Sequence, residues 1–171
     1  MNTVIQRTVF GVSLILVVVI AAVFLFLATA LVPYWQSMSG TEVQEWFAGP
    51  FNYFSYMMVP IHFLSIPVLV TAYVFHRKSR LSSLFLLALT GLLFCQAFNF
   101  ILYGGILNPA LQSQVLSDTE ALATLDQWAF YNDIRIMGVI VSILALMAIM
   151  VKANGPFENN QKLAKSASLF E

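Results

Sequence analysis

Four long apolar stretches constrain this sequence more than any other feature. They cover about residues 8–32, 53–75, 81–103 and 127–151, and each is long enough to cross a bilayer core, which takes about 20 helical residues. Of the 171 residues, 60% are hydrophobic and only 9% are charged, whereas a soluble domain has about 25% charged residues. So few charges cannot cover a water-soluble globule of this size. The sequence therefore predicts an all-α, integral membrane four-helix bundle.

The predicted domain organisation is simple. Residues 1–152 form the four-helix transmembrane domain, and residues 153–171 form a polar cytoplasmic tail after Gly155-Pro156, a signal that ends helices. Ala28-Thr29-Ala30 looks like a signal-peptide cleavage site, but the apolar run before it is longer than the signal-peptide core of about 7–15 residues. We therefore expect an uncleaved first helix.

The basic residues predict the orientation of the helices. Apart from one arginine inside the fourth stretch, they all lie before the first stretch, between the second and third, or after the fourth: Arg7, Arg77, Lys78, Arg80, Lys152, Lys162 and Lys165. The two remaining loops contain no Lys or Arg and carry acidic residues instead. Because basic segments stay in the cytoplasm, both ends are expected there, in a multi-pass protein of the plasma (inner) membrane.

The two outer loops contain signals for short helices. In the first loop, Ser39 followed by Glu42 predicts a helix start with an acidic residue in its first turn. In the second loop, Asn108-Pro109 marks a turn or a helix start, and the segment from Ser117 to Glu120 offers caps for a second short helix.

Three aromatic residues of the first loop leave two interpretations open. Trp35, Trp46 and Phe47 fit the aromatic belt found at the membrane–water boundary. On that basis the loop lies on the bilayer surface as an anchor. The alternative is a lid over a cavity that opens outward.

Polar side chains inside the apolar stretches are candidates for function because they are costly in a membrane. The second stretch contributes His62, the third Gln96 and Asn99, and the fourth Trp128, Asn132 and Arg135. The spacing in the third and fourth stretches puts each set on one helix face. In the predicted topology a polar pocket would form in the outer half of the bilayer, between apolar side chains below and the acidic loops above. The first stretch, with only Ser13 and Thr29 as polar residues, is expected to be scaffold.

Each of these residues also has a structural interpretation. Amide side chains often join helices in membrane bundles, and His62 is also explained as a hydrogen-bonded interior residue. A metal or haem held by His62 and His76 within one chain is not expected, because these residues are separated by about 21 Å along one helix. The single cysteine, Cys95, has apolar neighbours typical of a buried packing thiol.

The segment from Trp128 to Arg135 (WAFYNDIR), preceded in the loop by Asn108-Pro109, resembles the anthrone oxygenase-like family of small four-helix membrane proteins. The likeness covers about the last third of the chain. It implies an enzyme that oxidises a hydrophobic small molecule, with Arg135 stabilising a phenolate or enolate and His62 serving as a base. We therefore expect Arg135 and His62 as catalytic residues. The expected substrate-binding residues are Gln96, Asn99, Asn108, Trp128 and Asn132, and no metal ligand is expected.

Two function classes fit these observations. One is a membrane enzyme, oxygenase-like, that acts on a hydrophobic small molecule. The other is a non-catalytic membrane subunit or accessory protein that binds a partner protein or lipid. The expected partners are the lipid bilayer and a hydrophobic small molecule. The sequence leaves open the cofactor and whether the chain forms homo- or hetero-oligomers. The net charge of zero gives no indication of nucleic-acid binding.

Overall fold

The computed structural model describes the backbone of residues 3–167 and the side chains of residues 4–100 and 105–152. Within these ranges the chain is helical, with short turns and no strand. The elements are α1 (Thr3–Phe26), the π-helix π1 (Leu27–Leu31), α2 (Val32–Gln36), α3 (Gly40–Ala48), α4 (Pro50–His76), α5 (Ser82–Phe98), the π-helix π2 (Asn99–Leu107), α6 (Asn108–Gln112) and α7 (Asp118–Ala167). The all-helical fold class predicted from the sequence is confirmed.

Three helical runs are long and apolar enough to cross a membrane. They cover Val4–Gln36, Pro50–His76 and Asp118–Lys152 in the part of the chain that the structure describes. The third predicted stretch is an α-helix only over the 17 residues Ser82–Phe98. At Asn99 it continues into π2, so a complete α-helical span of about 20 residues is not reached there.

The four long helices share one core. α1 packs against both α4 and α7, and α5 packs against α4 and, most extensively, α7. The α5–α7 contact is close because Gly91 faces Gly138: a Cβ on Gly91 would lie 2.5 Å from the Gly138 carbonyl oxygen. Beside this contact, Ser142 Oγ donates to the Ala88 carbonyl oxygen at 2.8 Å. Cys95 is buried nearby, as predicted.

Short helices cover one end of this core, here named the capped end and made of α2, α3 and α6 with the first turns of α7. The predicted start of α3 is confirmed: Ser39 Oγ accepts from the Glu42 backbone N–H, and the Glu42 carboxylate accepts from the Ser39 backbone N–H at 2.8 Å. The Ser39 hydroxyl also donates to the Glu42 carboxylate, and the hydrogen bonds from the Ser39 N–H and hydroxyl hold the pKa of Glu42 below its usual range. Asn108 begins α6, with Pro109 in its first turn, as expected.

The two loops that form the capped end bind each other. Asp118 Oδ1 accepts from both the backbone N–H and the hydroxyl of Thr41 at 2.9 Å. The Gln44 amide donates to the Leu116 carbonyl oxygen and accepts from the Leu116 N–H, both at 3.0 Å. The loops therefore form one folded cover.

The second short helix predicted near Ser117 is wrong, because the cap belongs to the long helix itself. The Glu120 carboxylate accepts from the Ser117 N–H and hydroxyl, which lowers the pKa of Glu120, and α7 begins at Asp118. No Gly or Pro interrupts the next turns, and Ala121, Leu125 and Trp128 are all buried on one face. The helix therefore starts about two turns before the predicted position of residue 127.

The other end of α7 also differs from the prediction. The backbone continues as a helix through Gly155-Pro156 to Ala167. A proline fits helical φ but removes one backbone hydrogen bond. It therefore weakens a helix at that point without always ending it. The side chains of residues 153–171 lie outside the described part of the chain, so the polar tail stays a prediction.

The aromatic belt interpretation is wrong for two of its three residues. Trp35 and Phe47 are fully buried in the protein, whereas Trp46 is partly exposed. Trp35 makes ring contacts with Trp46, Phe47 and Trp128 at centroid distances of 5.0–5.6 Å. Belt residues must reach the lipid headgroups, and these two side chains instead pack the cover onto α7.

Candidate functional site

A cavity of about 550 Å³ lies between α1, α4, α5 and α7, below the capped end. Its wall is mostly apolar and includes Phe24, Phe51, Met58 and Phe63. Six of the seven residues singled out from the sequence line it: His62, Gln96, Asn99, Asn108, Trp128 and Arg135. The seventh, Asn132, is completely buried directly behind Arg135. The cavity is thus an apolar space with a cluster of polar groups on its wall.

Arg135 is the central charged group of this cluster and is only 2% exposed. Its Nη1 donates to Oδ1 of Asn99 at the start of π2, and its Nη2 donates to Oδ1 of Asn132 at 2.6 Å. The guanidinium carbon lies 4.2 Å from the centroid of the Phe24 ring and 5.6 Å from that of Trp128. Such cation–π contacts help to stabilise a charged group that is buried away from water.

His62 lies opposite Arg135, on α4, and contacts the amides of α5 and π2. Nε2 of Gln96 is 2.8 Å from the ring nitrogen Nδ1, and Nδ2 of Asn99 is 3.3 Å from both ring nitrogens. The imidazole stacks on Phe24 with 5.5 Å between centroids. Asn99 Nδ2 also donates to Oε1 of Gln96 at 3.3 Å, so one chain of hydrogen bonds joins Arg135 to His62.

Trp128 connects the cavity with the capped end. Its indole Nε1 donates to Oδ1 of Asn108 at 2.9 Å, which links α7 to α6. Its ring packs against Trp35, Phe47 and Phe51 at centroid distances of 5.6–5.9 Å. The cover is therefore a roof on the cavity. This agrees with the alternative interpretation of the first loop in that the loop covers a cavity, but not in the expected outward opening.

The cavity opens sideways, between α4 and the α5–π2 run. Several lining residues are largely exposed there, including Phe63, which is 70% exposed, and Phe100, which is 79% exposed. Val59 and Leu93 are also exposed lining residues of these two helices. The exposed rim is apolar, so it suits contact with hydrocarbon rather than with water.

The described residues contain no cluster of three or more His, Cys, Asp or Glu that could hold a metal ion. The side chains that hydrogen-bond to His62 are the amides of Gln96 and Asn99. His76 belongs to the other end of α4, where its Nδ1–H donates to the Ala72 carbonyl oxygen at 2.9 Å and its ring stacks on Phe85.

Phe24 is a site residue that the sequence interpretation missed. It stacks on His62, lies over Arg135, and its backbone carbonyl accepts from Asn132 Nδ2 at 3.4 Å. The first stretch was expected to be scaffold because it contains few polar residues. One phenylalanine among many apolar residues carries no local signal that separates a site residue from a packing residue.

Comparisons of this chain with protein-family models, with curated proteins and with solved structures found no match in any of the three.

Proposed function

We propose that this chain is a multi-pass protein of the plasma (inner) membrane that binds a lipid-soluble small molecule in the cavity lined by His62 and Arg135. The single observation that carries this proposal is the combination of an apolar space of about 550 Å³, a polar cluster on its wall and a lateral apolar opening. Ligand pockets typically combine an apolar space of this size with a few polar groups that fix orientation, and a lateral apolar opening suits a molecule that enters from the bilayer.

The proposed topology has four membrane-crossing helical runs with both ends in the cytoplasm. Three long apolar helices support it, and the α5–π2 run supplies the fourth crossing. Arg77, Lys78 and Arg80 lie in the turn between α4 and α5, at the opposite end of α4 from the capped end. By the positive-inside rule, the capped end faces outward and the cavity lies in the outer half of the bilayer.

The proposed reaction is oxygenase-like, in line with the resemblance to the anthrone oxygenase-like family. Four residues from the segments that carry this resemblance belong to the site: Asn108, Trp128 and Arg135 line the cavity, and Asn132 hydrogen-bonds to Arg135. In such a reaction dioxygen converts an activated CH₂ group into a carbonyl group and water. A buried guanidinium would stabilise the oxyanion that develops when the substrate loses a proton, because its charge is effective where water is excluded.

A non-catalytic membrane subunit is the second candidate, and one observation favours it. Arg135, Asn99, Asn132, Gln96 and His62 hydrogen-bond to one another. Networks of this kind also lock helices together without any ligand.

Ligand binding tests the proposal directly, with 1-tetralone as a small ketone probe and the protein in lipid nanodiscs. Met58→Trp fills the cavity from α4, whereas Met137→Trp, its matched control, replaces a 63% exposed side chain of α7 outside the cavity wall. We expect the first substitution to weaken binding at least ten-fold and the second to leave it unchanged. Equal binding by both variants would contradict the proposal.

His62→Phe separates the two candidate functions. Phenylalanine can keep the ring stack on Phe24 but lacks both ring nitrogens. A ligand site predicts normal folded yield with altered binding or activity. A purely locking role predicts a lower folded yield or loss of a partner protein, with 1-tetralone not bound at all.

A further inference from the structure

The hydrogen bonds of the polar cluster have a fixed direction, and that direction begins at Arg135. A guanidinium has only donors. Its Nη1 therefore donates to Asn99, and the atom of Asn99 that faces it must be the amide oxygen. The orientation of the Asn99 amide, which is ambiguous from shape alone, is thereby determined.

The direction passes from Asn99 to Gln96. Because the oxygen of Asn99 faces Arg135, its NH₂ group faces Gln96 and His62. This NH₂ donates to Oε1 of Gln96 at 3.3 Å, so the oxygen of the Gln96 amide is also engaged. Gln96 is left with its NH₂ group to offer His62.

His62 receives this donor at Nδ1, where Nε2 of Gln96 lies at 2.8 Å. An N–H can donate only to a nitrogen with a free lone pair. In the neutral imidazole the proton is therefore on Nε2. The side chains that the structure describes offer this Nε2–H no acceptor, and the polar atom that lies 3.3 Å from it, Nδ2 of Asn99, is itself a donor.

The amide oxygens of the cluster are engaged elsewhere. Asn132 Oδ1 accepts from Arg135, and Asn108 Oδ1 accepts from the Trp128 indole. N–H groups thus dominate what the cluster presents to the cavity. Ser55, whose hydroxyl can donate or accept, lies seven residues before His62 and hence about 10 Å away along α4.

We infer that the cavity selects ligands whose polar end is a hydrogen-bond acceptor, such as a carbonyl oxygen, and that His62 binds this oxygen through Nε2–H. The inference rests on the proposed ligand-binding function and sharpens it. It makes His62 a donor that recognises the ligand, where the sequence suggested a base. Molecules of the same size that offer only donors are rejected, since their N–H groups would face other N–H groups.

The tautomer of His62 is the first test, and it needs no ligand. His76→Gln leaves His62 as the sole histidine of the protein, which is purified without a histidine tag and studied by ¹⁵N NMR in nanodiscs. We expect Nε2 to carry the proton and Nδ1 to be bare. Adding Gln96→Met removes the donor to Nδ1, and we expect the ¹⁵N resonance of Nδ1 to move toward that of an imidazole nitrogen that accepts no hydrogen bond. A predominant Nδ1–H form in the parent, or no change on Gln96→Met, would overturn the inference.

Ligand preference is the second test. The probes are 1-tetralone, tetralin and indole, which are neutral bicyclic molecules of similar size and present an acceptor, no polar group and a single N–H donor, respectively. After correction for partition into protein-free nanodiscs, we expect the ketone to bind about ten-fold tighter than the other two, as one good hydrogen bond allows. His62→Phe should remove that preference.

The outcomes separate the inference from the proposed function on which it rests. Equal affinity of the three probes, or tighter binding of indole, overturns the inference while ligand binding itself stands. Absence of binding by all three contradicts the proposed function, and the NMR measurement still decides the direction of the hydrogen bonds.

Discussion

Arg135 of α7 donates a hydrogen bond to the side chain of Asn99, 36 residues earlier in the chain, at the residue where α5 becomes π2. This bond joins the two helices that pack most extensively against each other. It also orients the Asn99 amide toward His62 on α4. One donor thereby organises polar groups from three helices around the cavity.

Replacing Arg135 with methionine removes the two guanidinium N–H groups that donate to the side-chain oxygens of Asn99 and Asn132. We expect Arg135→Met to lower the free energy of unfolding by about 2–3 kcal/mol. The two lost hydrogen bonds are worth about 1.5–3 kcal/mol each, and part of that loss is offset because a guanidinium no longer has to be buried. Unfolding in detergent micelles measures this loss. The control Arg80→Met, in the exposed turn between α4 and α5, should change stability by less than about 0.5 kcal/mol.

A double-mutant cycle shows whether this loss belongs to the Asn99 contact. Asn99→Leu in the Arg135→Met background should cost at least about 1 kcal/mol less than in the parent, since the bond is already absent. Purely additive effects would show that the two side chains do not interact.

The close contact between Gly91 and Gly138 predicts a steep cost for one methyl group. In Gly91→Ala the new Cβ would meet the Gly138 carbonyl oxygen, so α5 and α7 must separate, at a cost of about 1–3 kcal/mol. Gly11→Ala is the matched control, because a Cβ on Gly11 meets nothing within 4 Å and alanine favours helices. Similar stability changes for the two variants would contradict this packing.

Acidification should loosen the capped end. The pKa of Glu42 and that of Glu120 are lowered in the folded protein by hydrogen bonds from Ser39 and Ser117. A carboxyl group with a lowered folded pKa stabilises the fold above its unfolded pKa, near 4.5, and this contribution is lost as the pH falls from there through the folded pKa. Unfolding measured from pH 7 to pH 3 should show a smaller decrease in Glu42→Gln and Glu120→Gln.

Glu45→Gln, in the last turns of α3 and outside both caps, controls for the change of net charge in that experiment. This variant keeps both caps, so their contribution to the pH dependence is retained. An identical pH dependence in all three variants would mean that the caps do not contribute.

Two buried tryptophans should respond differently to removal of the indole N–H. Trp128 Nε1 donates to Asn108, whereas Nε1 of the equally buried Trp35 finds no acceptor in the described part of the chain. Both Trp→Phe changes remove similar volume from one aromatic cluster. Trp128→Phe should therefore cost about 1 kcal/mol more than Trp35→Phe, the value of one hydrogen bond. Thermal unfolding checks the order, and the reverse order would refute this explanation.

Local sequence signals predicted part of this structure. The Ser39–Glu42 cap and the Asn108-Pro109 helix start are decided by neighbouring residues, so a short segment is enough to recognise them. The convergence of His62, Gln96 and Arg135 followed from helix periodicity, because a polar face in an apolar helix turns toward other polar groups.

Other features depend on tertiary contacts that no local pattern reports. Phe24 became a site residue only because α1 lies against both His62 and Arg135. The burial of Trp35 and Phe47 depends on the fit between the cover and Trp128. The change from α5 to π2 at Asn99 likewise has no sequence signal that we recognise.

The central claim is that the cavity beside His62 and Arg135 holds a lipid-soluble molecule. A crystal structure of the protein grown from a lipidic mesophase in the presence of 1-tetralone tests this claim most directly. The account predicts ordered ligand density in the cavity, with the carbonyl oxygen within hydrogen-bond distance of His62 Nε2. A cavity closed by its own side chains, with no ligand density between Phe24 and Met58, would contradict it.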